Sequence, residues 1–451
     1  MSQAQHLLYR HANLLLALVL VLLQAPLWLN PGYFSHDELQ WAARATGANL
    51  ADLPWLSFAA WDQFQFRPLT FNFWLLLSHT LFETPRLLHG VFVVLGTLNA
   101  LLLAQVLRGA GARRKVALAA ALVFGLSPFA VWVHGWVGCL ADLLWVGTGL
   151  ALLRVLQGLG EDARSIGLAV LAALVATVVG LYAKEAALAI PALLALGTVL
   201  LRWPRHWVAA TLTSGSVALA YLGLRLGVLL HPEAGSSYTV QVWTIPQRWL
   251  EYQVFPWALG IKEIHVLALA SEVRWAGLVL LLLLLIASLW LASRRLLLAW
   301  LAGGLLALAP VLVLPTSSNQ YGYGFMALVC GVVALAVPRL RRNGRIILGL
   351  LVALTVLHGF QIQANLLRVG RLQAVFSPSL AQAAQAQPEG EIRLWPDDLQ
   401  HRYVFERLSH DIPSYRGVPL GPRVGMAATA AQATHGVAMD GSVYARADAM
   451  P

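Results

Sequence analysis

Charge is what this sequence lacks most. Only 12% of its 451 residues are Asp, Glu, Lys or Arg, where a soluble chain of this size carries roughly 25%. Hydrophobic residues make up 59% and the mean hydropathy is +0.67, which excludes an ordinary soluble domain. Cysteine is nearly absent. Cys139 and Cys330 are the only two, both in or beside apolar stretches, so neither a disulfide framework nor a metal-type Cys/His spacing is present. Lysine occurs only at Lys115, Lys184 and Lys262, so the net charge of +10 comes almost wholly from arginine. In a soluble protein a pI near 10 would suggest nucleic acid. Here the charge sits in short loops between apolar runs, as positive-inside residues do, and no nucleic-acid partner is expected. Gly-rich phosphate loops and internal repeats are missing too.

What is present is a long series of apolar runs, each of ~17–22 residues, enough to cross a bilayer as a helix. The runs are continuous and rich in Leu and Ala rather than alternating, which disfavours a β-barrel. About eleven spans are expected, near 12–29, 86–107, 116–133, 139–156 and 166–182, then one ending near 201 and one near 230, then 275–292, 296–314, 325–338 and 346–364. Basic clusters at 108–115, 202–207, 294–295 and 339–345 then share one side, which the positive-inside rule makes cytoplasmic. The N-terminus is inside and the C-terminus outside. No small-residue cleavage site follows the first run, so it reads as an uncleaved helix. Residues 68–82 are too short and polar to span and are expected to lie along the membrane surface.

The fold class is therefore an all-α polytopic membrane protein. It has a membrane domain over 1–367, with outer loops at 30–67 and 231–273 and a surface helix at 68–83, and a small extracytoplasmic tail over 368–451. In that tail 379–391 (SLAQAAQAQPEGE) has the composition of a linker, EIRLWPDD and RYVFERL suggest a strand and a short helix, and the last thirty residues look poorly ordered. About sixty residues bury only a marginal core.

The ionisable residues at the membrane edge all fall on the outer side: Asp37, Glu38, Arg67, His134, Asp142, Lys184, Glu185 and the pair Lys262-Glu263. Charges at the rim of a bilayer usually pair with one another or line a functional cavity. Each also has a plainer reading. Asp37-Glu38 reads as a solvated loop pair and Arg67 as a headgroup anchor. Asp142 reads as a favourable charge at a helix N-terminus, Lys184-Glu185 as an interhelical ion pair, and His134, between Trp132 and Trp136, as interfacial packing.

Their order along the chain resembles that of the C-type (GT-C) polytopic glycosyltransferases. SHDELQWAARA is similar to the acidic first-loop motif of protein O-mannosyltransferases and lipid A aminoarabinose transferases. FRPLTFNFW, SPFAVWVHGWVGCLADLL, YAKEAALAIP and NQYGYGFMAL, in that order, resemble the tetratricopeptide-linked transmembrane O-mannosyltransferases and their bacterial relatives. The likeness covers about 30–335. It departs at Leu140 and Gln320, where such relatives carry Arg, with His134 or Arg248 as possible substitutes, and no tetratricopeptide repeats follow the last helix.

The resemblance implies a GT-C-like bundle that takes a sugar from a polyprenyl-phosphate carrier and passes it to a hydroxyl of a protein, lipid or glycan. A bacterial inner membrane is the expected location. Asp37 is the expected base that takes the acceptor's proton, with Glu38 second. Arg67 and Lys184, then His134 and Arg248, are the expected contacts for the leaving phosphate. Asp142, Glu185, Tyr321 and Tyr323 support them. No cofactor or metal is expected. The alternatives are a transporter or flippase of lipid-linked sugars, and a non-catalytic relative that binds a lipid or a partner.

Overall fold

The computed structural model describes residues 11–52, 56–59, 63–231, 238–258 and 272–446. The expectations for Lys262 and Glu263 fall outside these residues. Helices dominate the chain. They are α1 (Ala12–Leu23), α2 (His36–Thr46), α3 (Pro68–Leu81), α4 (Pro85–Gly109), α5 (Arg114–Leu126), α6 (Pro128–Gly135), α7 (Leu140–Leu156), α8 (Ala163–Ala183), α9 (Ala189–Leu200), α10 (Arg205–Leu229), α11 (Ile245–Val254), α12 (Glu272–Ala292), α13 (Arg294–Leu312), α14 (Tyr323–Ala336), α15 (Arg342–Ala386) and, in the C-terminal unit, α16 (Arg402–Ser409).

Among the described residues seven helices are long and apolar enough to cross a membrane, eight if the bent pair α5–α6 counts as one. This fits a polytopic helical membrane protein. Three shorter apolar helices, Ala12–Leu23, Glu185–Leu200 and Ala276–Ala292, occupy other expected spans. The expected span 116–133 is not one straight helix, because the chain turns by 58° between α5 and α6. Pro128 has no N–H to continue the ladder, and Ser127 restarts the helix as its N-cap, its Oγ accepting the Ala130 amide at 3.3 Å. The bent backbone fits closely against α15. A Cβ on Gly359 would lie 1.9 Å from the Leu126 carbonyl oxygen.

The tail differs from the linker expected. Residues 379–386 continue α15, a helix of 45 residues, because Ala and Gln are good helix formers. One face of this extension, with Leu380, Ala381 and Ala384, is buried. Arg423 then satisfies the open carbonyls at the helix end, donating to Ala384 at 2.9 Å, to Gln387 at 2.5 Å and to Pro388 at 3.0 Å.

Beyond the helix lie β1 (Ile392–Pro396), β2 (Ser414–Tyr415), β3 (Val418–Pro419), β4 (Val424–Met426), β5 (His435–Val437) and β6 (Val443–Ala445). The main sheet has the order β4-β1-β5-β6, parallel except for β6. Leu394 on β1 is opposite Met426 on one side and His435 on the other. The expected strand at EIRLWPDD and helix at RYVFERL are both present. The expected disorder of the last thirty residues is not: β4, β5 and β6 all lie there, β5 is fully buried, and only 447–451 are outside the described residues. β2 and β3 form a two-residue hairpin in which Arg416 (φ 48°) and Gly417 (φ 80°) both take positive φ, the backbone of a tight primed turn.

Candidate functional site

The first loop starts by being fastened to α15. Asn30 Nδ2 donates to the Leu366 carbonyl at 3.1 Å, and the Tyr33 amide donates to Gln373 Oε1 at 2.8 Å. The approach requires glycine at Gly32, where a Cβ would lie 2.2 Å from the Gly370 carbonyl oxygen. His89 Nε2 lies 2.9 Å from the Gly32 carbonyl. The Tyr33 ring stacks on Phe82, centroids 4.6 Å apart, and its hydroxyl donates to the Phe82 carbonyl at 2.5 Å. Phe34 packs edge-on to Trp132 and Trp136.

The chain then enters α2 through a capping box. Ser35 Oγ accepts the Asp37 amide at 3.4 Å, and Glu38 Oε2 accepts the Ser35 amide at 2.8 Å. The S-x-x-E spacing of Ser35 to Glu38 is the sequence signature of this motif, a signal the reading of the acidic pair passed over. Glu38 is therefore engaged in starting the helix. It is 2% exposed, and burial, with the Asp37 charge second, pushes its carboxyl up to about 8. Its Oε1 has no partner among the described residues. Asp37 faces outward, with 31% of its side chain exposed; Oδ1 lies 3.3 Å from His36 Nε2 and Oδ2 accepts from Ser35 Oγ at 3.3 Å.

Lys184 stands at the break between α8 and the short 3-10 turn Glu185–Leu188. Its Nζ lies 2.7 and 2.6 Å from the two oxygens of Asp142 on α7, and Trp145 Nε1 donates to the same carboxylate at 3.3 Å. The Lys184 ammonium also sits 4.8 Å above the Tyr321 ring. Glu185, the next residue, accepts from Arg67 Nε at 2.8 Å. Cys139 lies within electrostatic reach of Asp142, Lys184, Glu38 and Asp37, and Tyr321 within reach of Arg67 and Asp142. The acidic pair and the two ion pairs thus share one end of the bundle, joined by the 3-10 turn Val137–Cys139 and the 319–322 turn.

The remaining candidates are placed differently. Arg248 is committed to Glu251 at 2.6 Å, and Ser317 donates to the same carboxylate at 2.7 Å. His134 is fully buried. Its Nδ1 lies 2.7 Å from Gln24 Oε1 and its Nε2 3.1 Å from the Tyr323 hydroxyl, so neither ring nitrogen is open to a phosphate. This corrects its expected role, and the reason is packing: Gly96 lies directly against the ring. Tyr323 also accepts from Asn99 at 3.2 Å. These two residues tie helices together inside the bundle. Leu140 is wholly buried and apolar, so α7 offers no cation there. No family model, curated protein or solved structure matches this chain.

Sequence reasoning missed two arginines. Arg225 on α10 is fully buried, and its Nη2 donates to the carbonyls of Gln63 at 2.5 Å and Phe64 at 3.0 Å, holding the chain just before Arg67. A charge in the middle of a leucine-rich run was the available signal. Arg407 on α16 reaches the first loop. Its Cζ lies 4.6 Å over the Phe34 ring and 5.3 Å over that of Trp136, and it is within electrostatic reach of Asp37, Glu38 and Cys139. Beside it the His410 ring meets that of His36 edge-on at 5.4 Å. Gln40 Nε2 donates to the Asp411 carbonyl at 3.1 Å. This cation of the tail could not be located near the acids from the sequence, because nothing in 368–451 marks which residue folds back.

Among the described residues no group of three or more His, Cys, Asp or Glu side chains is placed to hold a metal ion.

Proposed function

We propose that this protein is a membrane glycosyltransferase of the GT-C type, moving a sugar from a polyprenyl-phosphate carrier to an acceptor hydroxyl. The observation that carries the reading is the convergence at one end of an apolar bundle of Asp37, a carboxylate open to solvent, with the Asp142–Lys184 and Arg67–Glu185 pairs. In the reaction the acceptor oxygen bonds to the anomeric carbon and its proton passes to Asp37. The bond from that carbon to the phosphate oxygen breaks, and its electron pair leaves on the polyprenyl phosphate. Glu38, holding its proton near neutral pH and spent on the helix cap, leaves the base's role to Asp37. Lys184 and Arg67, each oriented by its carboxylate, face the growing phosphate charge.

An apolar cavity of about 340 Å³ between α5, α14 and α15 supports the lipid part of the reading. Its lining includes Val116, Trp257, Leu285, Phe325, Val329 and Leu351, a chemistry that suits a hydrocarbon chain. In this reading the chain crosses the bilayer eleven times, counting the bent pair once and the three short apolar helices. The first loop and the C-terminal unit then lie outside and the basic loops inside a bacterial inner membrane. Contact between α2 and α16 fits such a topology, because it needs both on the same side.

A second reading is a non-catalytic lipid-binding relative, favoured by one observation: Arg67, Lys184 and Arg248 are each already paired with a carboxylate. The test is transfer by the purified full-length protein, supplied with radiolabelled polyprenyl-phosphate sugars and extracts of native membranes and secreted proteins. A new glycosidic bond on any acceptor supports the enzyme. Uptake of lipid-linked sugar by proteoliposomes without any new bond supports a transporter instead.

A further inference from the structure

Arg407 differs from the other cations of the site. Arg67, Lys184 and Arg248 each lie within 2.6–2.8 Å of a carboxylate oxygen, whereas Arg407 is hydrogen-bonded to no carboxylate among the described residues. Its Nη1 donates to the Tyr403 hydroxyl at 3.2 Å, and its buried Nε has no partner among the described residues. Burial holds its guanidinium below the usual arginine range, partly offset by Asp37, Glu38 and Cys139. A leucine would fill the same space without that cost. Two aromatic faces, Phe34 and Trp136, hold the guanidinium beside the acidic end of the first loop; with Nη1 spent on Tyr403, Nη2 is the terminal nitrogen left for an oxyanion.

We propose that Arg407 is a binding residue for the phosphate of a lipid-linked substrate, so that the C-terminal unit completes the site built on the first loop. The phosphate is recognised by the N–H groups that Arg407 spends on neither a carboxylate nor Tyr403. The inference rests on the glycosyltransferase reading for the identity of the lipid, but not for the existence of the phosphate contact. The placement also explains the long α15: it carries the C-terminal unit back over the first loop, where α16 packs on α2 and Gln40 bonds to the chain at His410–Asp411.

The experiment measures binding of radiolabelled polyprenyl phosphate, without sugar, to the full-length protein in nanodiscs of zwitterionic lipid. Wild type is compared with Arg407→Gln, Arg407→Lys and Arg416→Gln, the last altering an exposed arginine of the same unit that pairs with Glu83. Polyprenol and inorganic phosphate are separate arms. Arg407→Gln is expected to weaken polyprenyl phosphate binding about tenfold or more. Arg407→Lys should fall between, since a point charge replaces a fork, and Arg416→Gln should bind as wild type does. Polyprenol binding should not depend on residue 407. Equal affinity for polyprenyl phosphate in wild type, Arg407→Gln and Arg407→Lys overturns the proposal. So does Arg407-dependent binding of inorganic phosphate without any such dependence for the lipid. If Arg407→Gln does not fold, the lysine variant carries the comparison. Wild type that binds polyprenyl phosphate through Arg407 and transfers no sugar removes the glycosyltransferase reading while leaving this one standing.

Discussion

Replacing Asp142 by Asn isolates the contribution of one buried ion pair. Asp142 and Lys184 have side chains only 3% and 6% exposed, and both carboxylate oxygens lie within 2.7 Å of the ammonium. Asn keeps the shape and the bond from Trp145 but removes the charge that compensates Lys184. Uncovering a buried charge in this way costs about 3–5 kcal/mol. The Tyr321 ring above Lys184 is present in both proteins and offsets none of this cost. The expectation is a loss of about 3–5 kcal/mol, a fall in Tm on the order of 5 °C, read by thermal unfolding in detergent. Replacing both residues, with Leu at 142 and Met at 184, should recover most of that loss, because no charge is then left buried. A double-mutant cycle reads the coupling directly. Asp142→Asn within about 0.5 kcal/mol of wild type, a difference typical of surface positions, would refute the reasoning.

Glu38 makes stability depend on pH. Its carboxyl is raised by burial to about 8, so its contribution is complete below the ordinary carboxyl range and is lost as pH rises through about 8. Glu38→Gln keeps the acceptor for the Ser35 amide and removes the ionisation. The fall in Tm between pH 5 and pH 9 should be shallower in this variant by the equivalent of a few kcal/mol, and an unchanged slope contradicts the burial argument. Gly32→Ala should loosen the first loop from α15, since the new methyl would lie 2.2 Å from the Gly370 carbonyl oxygen. A cost of about 1–3 kcal/mol is expected, with faster proteolysis inside 36–67, and an unaltered cleavage pattern counts against that anchor. Arg423→Ala opens the carbonyls of Ala384, Gln387 and Pro388. It should raise hydrogen exchange at 380–390 without altering exchange in the first loop's α2.

How far the sequence carried depends on which interactions set each element. The apolar helices were legible because each is specified by its own composition, and the break at Lys184-Glu185 was legible as charge inside an apolar run. The bend at Ser127 was not, although Ser-Pro within a run is a restart signal. The Ala/Gln stretch at 379–386 was misjudged because low complexity was weighed above helix propensity. The carbonyls at its end are satisfied by Arg423, which lies about forty residues on and leaves no local trace. The same holds for the site. Asp37, Lys184 and Arg67 announce themselves as charges beside apolar runs. Glu38 carries a capping signature in plain spacing. His134 is a polar side chain satisfied by Gln24 and Tyr323 from distant helices, and no local pattern distinguishes that from a ligand. Arg407 enters through the docking of α16 on α2, a tertiary fact.

The account stands most directly on Asp37. The decisive measurement is single-turnover sugar transfer by wild type and by Asp37→Asn, using the donor and acceptor that wild type accepts, with Tm and polyprenyl phosphate affinity measured on the same samples. Asn preserves the shape and the bond from Ser35 but cannot take the acceptor's proton. Loss of a general base typically costs 10²–10⁴-fold in rate. The account predicts a loss of that order in Asp37→Asn, with Tm and lipid affinity near those of wild type. An Asp37→Asn protein that transfers sugar at the wild-type rate would contradict it.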